Sequence, residues 1–279
     1  MLKAILHGKA GRIEHDGQTS VRWASLFKAR EDLLTSTMFE RFAYLSESLQ
    51  FELLEFCFKD RVTPLAEVFG AFITIDYWPR YTFEEKGHTR QVEPDLIIRF
   101  EKANLIVEVK PPAGGDQYFT QWRREVGSFL QSEEGESRPL YFLAIGRVDH
   151  VSALKWESKL VNEFDNLICV GAINWQPIAD CLVEKLSDSR LSKTDKRVLN
   201  DMLKALALYG LNVSNFKWDK LRKHSFPVLS LSHPLLSAVD INQGAILDVS
   251  HQSVQSLINH DFKPVTLDAL LAWPRYNNE

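Results

Sequence analysis

The sequence predicts an α/β fold, and three features of the chain point to it. Runs of β-branched and aromatic residues alternate with segments whose apolar residues return every three or four positions. Their order is helix, three strands, helix, strand, helix, strand, as in a sheet covered by helices. Beyond about residue 175 the strand-like runs give way to helical periodicity. The 279-residue chain is therefore expected to hold an α/β core over residues 1–175 and a mainly helical C-terminal extension over 176–279.

Each element has its own warrant. Residues 1–25 suggest a strand and then a charged loop with Gly8, Gly11 and Gly17. One helix is expected from about Thr37 to Phe58, because Met38, Phe42, Leu45, Leu49 and Leu53 recur at helical spacing. The run Phe72-Ile73-Thr74-Ile75-Asp76-Tyr77-Trp78, closed by Pro79, reads as a strand. Strands follow at about 95–100 and 104–110, then a helix over 116–131 with Asp116 as its cap. An apolar strand over Leu140–Ile145, a helix over about 150–163 and a strand over Leu167–Ile173 complete the core. Residues 176–210 read as helical, with a stripe of Leu199, Met202, Leu203 and Leu206 ending at Gly210. Residues 211–279 show a mixed pattern.

Composition narrows the function classes. An apolar share of 45% with 25% charged residues is ordinary for a soluble globular protein. No uninterrupted apolar run reaches the roughly 18 residues of a membrane span, and the first residues lack the pattern of a signal peptide. Cys57, Cys169 and Cys181 lie far apart and read as buried thiols of a reducing cytosol, so a cytoplasmic location is expected. None has zinc-finger spacing. The net charge of −4 is unusual for a nucleic-acid binder, which displaces counterions with an excess of Lys and Arg. A chain acting on nucleic acid would need its basic residues on one face, or help from a protein partner or a second copy.

The chemistry concentrates in Glu93-Pro94-Asp95-Leu96-Ile97-Ile98-Arg99-Phe100-Glu101-Lys102-Ala103-Asn104-Leu105-Ile106-Val107-Glu108-Val109-Lys110. Two β-type runs flank a polar turn, which signals a hairpin. With the turn centred between Lys102 and Ala103, Phe100 pairs with Leu105, Ile97 with Glu108, and Asp95 with Lys110. Side chains alternate between faces along a strand, and opposed residues share a face. Asp95, Glu108 and Lys110 then converge at one end of one face, and Leu96, Ile98, Phe100, Leu105, Val107 and Val109 line the other. Two adjacent carboxylates repel unless a cation lies between them. A hard ion such as Mg²⁺ takes oxygen ligands and keeps places for water and phosphate, and the Val109 carbonyl is a further donor. Such an ion polarises a phosphodiester, while Lys110 orients water or offsets charge growing on phosphorus. The blander reading is a surface hairpin with an ion pair across it, which would contribute little.

Pro94-Asp95, followed after a hydrophobic strand by Glu108-Val109-Lys110, resembles the PD-(D/E)XK nuclease superfamily of restriction, recombination and repair enzymes. The resemblance covers roughly residues 36–175. It implies a restriction-endonuclease-like core, a mixed sheet flanked by helices, with Asp95 and Glu108 holding Mg²⁺ or Mn²⁺ and Lys110 assisting the attacking water. It implies hydrolysis of phosphodiesters, with DNA the favoured substrate over RNA. Members often add an acid from the helix before the sheet. Glu40 is the first candidate, with Glu31, Asp32 and Glu47 behind it. Glu40 also fits a capping box opened by Thr37. A Gln on the helix after the Lys strand reaches the site in several branches, which points to Gln121 or Gln117, although the stricter Gln-x-x-x-Tyr form is absent. Arg123 and Arg124 suit phosphate contacts or a solvated helix face. The window Lys217–His224 suits a nucleic-acid contact or a charged surface helix. The phrase from Glu31 to Glu40 resembles nuclease subunits of bacterial antiviral defence systems. The competing class is an inactive nuclease-fold module that binds nucleic acid or scaffolds a complex.

Overall fold

The computed structural model describes residues 2–214 apart from 16, 24, 27–29, 86 and 136. The basic window over 217–224 and the rest of the extension lie outside the described residues. The chain opens with a short helix, α1 (Leu2–Leu6), rather than the expected strand. Leu2 and Ile5, three apart, are buried from one face of that single turn. A hairpin of β1 (Arg12–His15) and β2 (Gln18–Arg22) follows.

The single helix expected over 37–58 is two, α2 (Glu31–Phe42) and α3 (Glu47–Cys57). Ser46 ends the continuity by donating its N–H and its hydroxyl to the buried Asp195 carboxylate, at 2.8 and 3.0 Å. Gln50 Nε2 donates to the Phe42 carbonyl at 3.0 Å and so satisfies one of the last acceptors of α2. Met38, Phe42, Leu45, Leu49 and Leu53 are all buried in one core. Their periodicity follows that core across a break in the helix.

A short helix, α4 (Leu65–Phe69), leads into β3 (Phe72–Tyr77). A hairpin not anticipated from sequence, β4 (Tyr81–Glu85) and β5 (His88–Val92), separates β3 from β6 (Leu96–Phe100) and β7 (Asn104–Val109). Every residue of β5 except Val92 is exposed, so the sequence carries no apolar alternation there to read. Next come α5 (Phe119–Leu130), β8 (Leu140–Ile145), α6 (His150–Glu163), β9 (Leu167–Ile173), α7 (Trp175–Leu186) and α8 (Lys193–Leu208). Helix α5 begins after the expected Asp116 cap, because Asp116 pairs with Arg147 at 2.8 Å and Tyr118 takes the capping position.

The main sheet is mixed, in the order β3-β6-β7-β8-β9. The first three strands are antiparallel and the last three parallel. Helices cover both faces, so β7 and β8 are buried along their whole length, as expected of central strands. One face packs Leu96, Ile98, Leu105 and Val107 against α2, α3, α7 and α8. The other packs Ile97, Ile106 and Phe142 against Trp122, Val126 and Phe129 of α5 and Leu160 of α6. Helices α7 and α8, assigned to the extension from sequence, bury Leu182, Leu199 and Leu206 in the first of these cores. The three cysteines lie in that core too, where burial pushes the Cys57 thiol up to about 12. Among the described residues no helix is long and apolar enough to cross a membrane.

One close approach fixes the end of β7. Gly146 has φ of +85°, and a Cβ there would stand 2.0 Å from the Lys110 carbonyl oxygen and 2.8 Å from Trp175 Nε1. That oxygen accepts a 2.8 Å bond from Trp175 Nε1. We expect Gly146→Ala to destabilise the chain by at least about 2 kcal/mol, from backbone strain and overpacking together. Denaturant unfolding checks this, and a loss below about 0.5 kcal/mol, the scatter of neutral surface changes, would contradict it.

Candidate metal centre

The hairpin of β6 and β7 pairs Leu96 with Val107, Ile97 with Ile106, Ile98 with Leu105, and Arg99 with Asn104. This register differs by two residues from the expected one, so Ile97 opposes Ile106 and not Glu108. The turn is tightened from outside. Glu101 and Lys102 donate their N–H groups to Ala71 and Phe69 carbonyls at 3.0 and 2.8 Å, while Phe100 N–H closes onto the Ala103 carbonyl. A shift of two leaves every side chain on its original face, where a shift of one would reverse them all. The expected division of faces therefore holds, and one further step of the register sets Asp95 opposite Glu108.

Asp95 is 8% exposed and Glu108 only 1%. Their carboxylates and that of Glu31 each offer an oxygen within 4.8 Å of the others. Asp95 Oδ2 accepts the Val109 N–H at 2.8 Å. Lys110 Nζ, with its side chain 12% exposed, donates to Glu108 Oε1 at 2.5 Å and to Glu31 Oε1 at 2.8 Å. Gln121 Nε2 donates to Glu108 Oε1 at 2.6 Å. The structure thus brings together Asp95, Glu108, Lys110 and Gln121. Val109 joins them through its amide.

It does not bring Glu40 there. Glu31 is the first residue of α2, where a carboxylate also suits the positive end of the helix. Glu40 stands nine positions further along α2, about two and a half turns, and so on the opposite side. Its side chain is 58% exposed and lies 3.9 Å from Arg41 Nη1. The capping reading fails as well, because Thr37 sits inside α2 and its carbonyl accepts from Arg41 at 2.9 Å. Glu47 serves the Phe72 N–H at 3.2 Å. Gln117 is structural, since its Oε1 accepts from Trp122 Nε1 at 2.7 Å and its Nε2 donates to the Gly146 carbonyl. Arg123 is held by Glu85 and Glu163, at 2.5 and 2.6 Å, whereas Arg124 has no ion pair among the described residues.

One residue of the site was missed altogether. Glu125 follows Gln121 by one helical turn and is 2% exposed. Its signal was present: a carboxylate sits between Trp122 and Val126 in the apolar stripe of α5.

Electrostatics follow from burial. Desolvation first, and then the Glu108 charge, push Asp95 up to about 8 against the opposing Val109 N–H. Burial lifts Glu125 to about 8. Glu108 is raised well above the ordinary range by burial and by Glu125, despite Lys110. Burial works against the Lys110 ammonium, but Glu108 and Glu31 outweigh it and raise its pKa. The set fits a hard divalent cation: carboxylate oxygens of Glu31, Asp95 and Glu108 cluster together, and Asp95 and Glu108 are buried.

The sign of the pH effect follows. Asp95 and Glu125 titrate near 8 in the fold against about 4 in the unfolded chain. The folded chain then holds more protons through that window, so stability is full below about 4 and is lost as pH rises towards about 8. In chelator, the thermal midpoint should fall between about pH 5 and pH 8, Mn²⁺ should restore part of it at the higher pH, and Asp95→Asn should flatten the loss. A chelated wild type equally stable at both values would contradict this.

No family model matches the chain, and no solved structure does. The chain is 30% identical over 251 residues to the uncharacterized protein PM0110 of Pasteurella multocida (strain Pm70), across 84% of this chain and 90% of that protein. At that identity and coverage, the chain belongs to the same family as PM0110.

Proposed function

We propose that the chain is a divalent-metal-dependent nuclease with a restriction-endonuclease-like core, acting on DNA. The observation that carries this reading is the convergence of Glu31, Asp95 and Glu108 within 4.8 Å, with Lys110 beside them. Strand order adds support, since an antiparallel hairpin next to parallel β8 and β9 puts both motif acids at one end of a mixed sheet. DNA as substrate, and a role in bacterial defence, come from the resemblance of the motif and of the phrase around Glu31.

In this reading Asp95, Glu108 and Glu31 would hold Mg²⁺ or Mn²⁺. The Val109 carbonyl lies on the same strand edge as the N–H that meets Asp95, and is available as a further ligand. When bound, the ion would polarise the phosphodiester and lower the pKa of water. The protein's own contribution is positional. Gln121 fixes Glu108, and the Val109 N–H fixes Asp95. Lys110 stays protonated and presents its charge where the phosphate gains negative charge. Trp175 holds the Lys110 carbonyl and so limits where that side chain can reach. Arg124, three residues after Gln121 on α5, would serve as a phosphate contact.

The same ion pairs favour a second reading. Lys110 is satisfied by Glu108 and Glu31, and the net charge is −4, so an inactive module stabilised by its own buried network accounts for part of the geometry. Cleavage separates the two. With wild-type chain at low salt, where phosphate contacts are strongest, DNA cleavage should need Mg²⁺ or Mn²⁺ and stop with chelator. Lys110→Ala should cut about 10²–10³-fold more slowly while still binding Mn²⁺, and Asp95→Ala should lose both. If the wild type cuts neither DNA nor RNA with either ion, the scaffold reading stands.

A further inference from the structure

The N-terminal hairpin sets Arg12 of β1 directly opposite Arg22 of β2. Like charges placed opposite one another across a hairpin are destabilising. Arg12 Nη1 donates to Ser20 Oγ at 2.9 Å, a neutral partner, and neither guanidinium has an ion pair among the described residues. Glu14, the one described acid of the hairpin, is exposed and pairs with neither. Both arginines are exposed and line a cavity of about 580 Å³, a size that suits a small ligand. Its floor is apolar, formed by Ile5 and Leu6 of α1 and by Leu208 at the end of α8, and Trp23 joins its wall. Trp23 is partly buried and packs against the main core, so its ring is held from behind.

We propose that this cavity binds a nucleoside phosphate, with Arg12 and Arg22 on the phosphate oxygens and Trp23 against the base. Planar guanidinium forks match phosphate oxygens, and an indole ring can stack on any base. The apolar floor suits the remaining face of the base and sugar. Charge along the chain agrees, since residues 1–30 carry six Lys or Arg against two acids in a chain of net charge −4. An acidic peptide would engage the arginines but bring no planar group to the indole. The same chemistry comes from a free nucleotide or from the phosphorylated end of a strand. The site shares no residue with the metal centre, lies outside the stretch that carries the nuclease motif, and does not rest on that reading.

The experiment is calorimetric titration of the full-length protein in chelator, so that no divalent ion contributes. The probes are adenosine 5′-monophosphate, adenosine and a 5′-phosphorylated deoxyadenosine hexanucleotide. A phosphate-bearing probe should bind at one site per chain, and adenosine about tenfold more weakly or worse. Arg12→Gln and Arg22→Gln, each removing a charge-assisted bond, should weaken the phosphate-bearing probe about tenfold or more. Binding of the mononucleotide with that loss assigns the site to a free nucleotide, and binding of the hexanucleotide alone with the same loss assigns it to a strand end. If neither phosphate probe binds, if adenosine binds as well as its phosphate, or if both variants bind like the wild type, the proposal is overturned. A hexaglutamate peptide that binds as tightly, with the same dependence on the arginines, overturns it as well. Should the variants fail to fold, photocrosslinking of 8-azidoadenosine 5′-monophosphate to the wild type decides. A label on the peptide that spans Trp23 supports the site, and a label elsewhere or none at all overturns it.

Discussion

Asp95 and Glu108 face each other across β6 and β7 in a setting with almost no access to water. Two like charges so placed stay ionised together only with positive charge beside them; otherwise at least one takes up a proton. The rest of the site answers that constraint. Lys110 returns from the end of β7 to bridge Glu108 and Glu31, the Val109 N–H points at Asp95, and the Gln121 amide points at Glu108. Burial without a partner would make these groups expensive. Arranged in this way, they form one hydrogen-bonded network around the acids.

The fold makes the arrangement rigid. The apolar face of β6 and β7 is anchored against four helices, so neither strand can rotate its acids away. Parallel pairing of β7 with β8 continues to Val109, and the Lys110 N–H extends it by bonding the Ile145 carbonyl at 2.8 Å. Gly146 lets the β8 terminus pass close enough for Trp175 to reach the Lys110 carbonyl. Side chains on such elements lose little entropy when they take up a ligand, because they are already ordered.

Much of this was legible in the sequence because alternation on a buried hairpin has few solutions. The division of faces along Asp95–Lys110 survived a register error of two, since parity alone decides it. Strands Leu140–Ile145 and Leu167–Ile173 and the helix over 150–163 were legible from their apolar runs and spacing. Glu31 was ranked behind Glu40 because Thr35 and Thr37, polar yet buried, hid the true start of α2. The break at Ser46 depends on Asp195, 149 residues away, which no local pattern carries. The β4–β5 hairpin was lost because β5 is exposed at every residue but Val92 and carries no apolar alternation. Glu125 stood in plain view as a charge in an apolar stripe, a local conflict of the kind found at functional or strained positions.

The acids at the end of this hairpin are proposed as a cation centre. A crystal of the full chain grown or soaked in Mn²⁺ tests it most directly, by anomalous scattering at the manganese edge. The expected result is an anomalous peak within about 2.5 Å of oxygens of both Asp95 and Glu108, with Lys110 drawn away from Glu108. Saturating Mn²⁺ that leaves no peak there, and Lys110 still bridging Glu108 and Glu31, would contradict it.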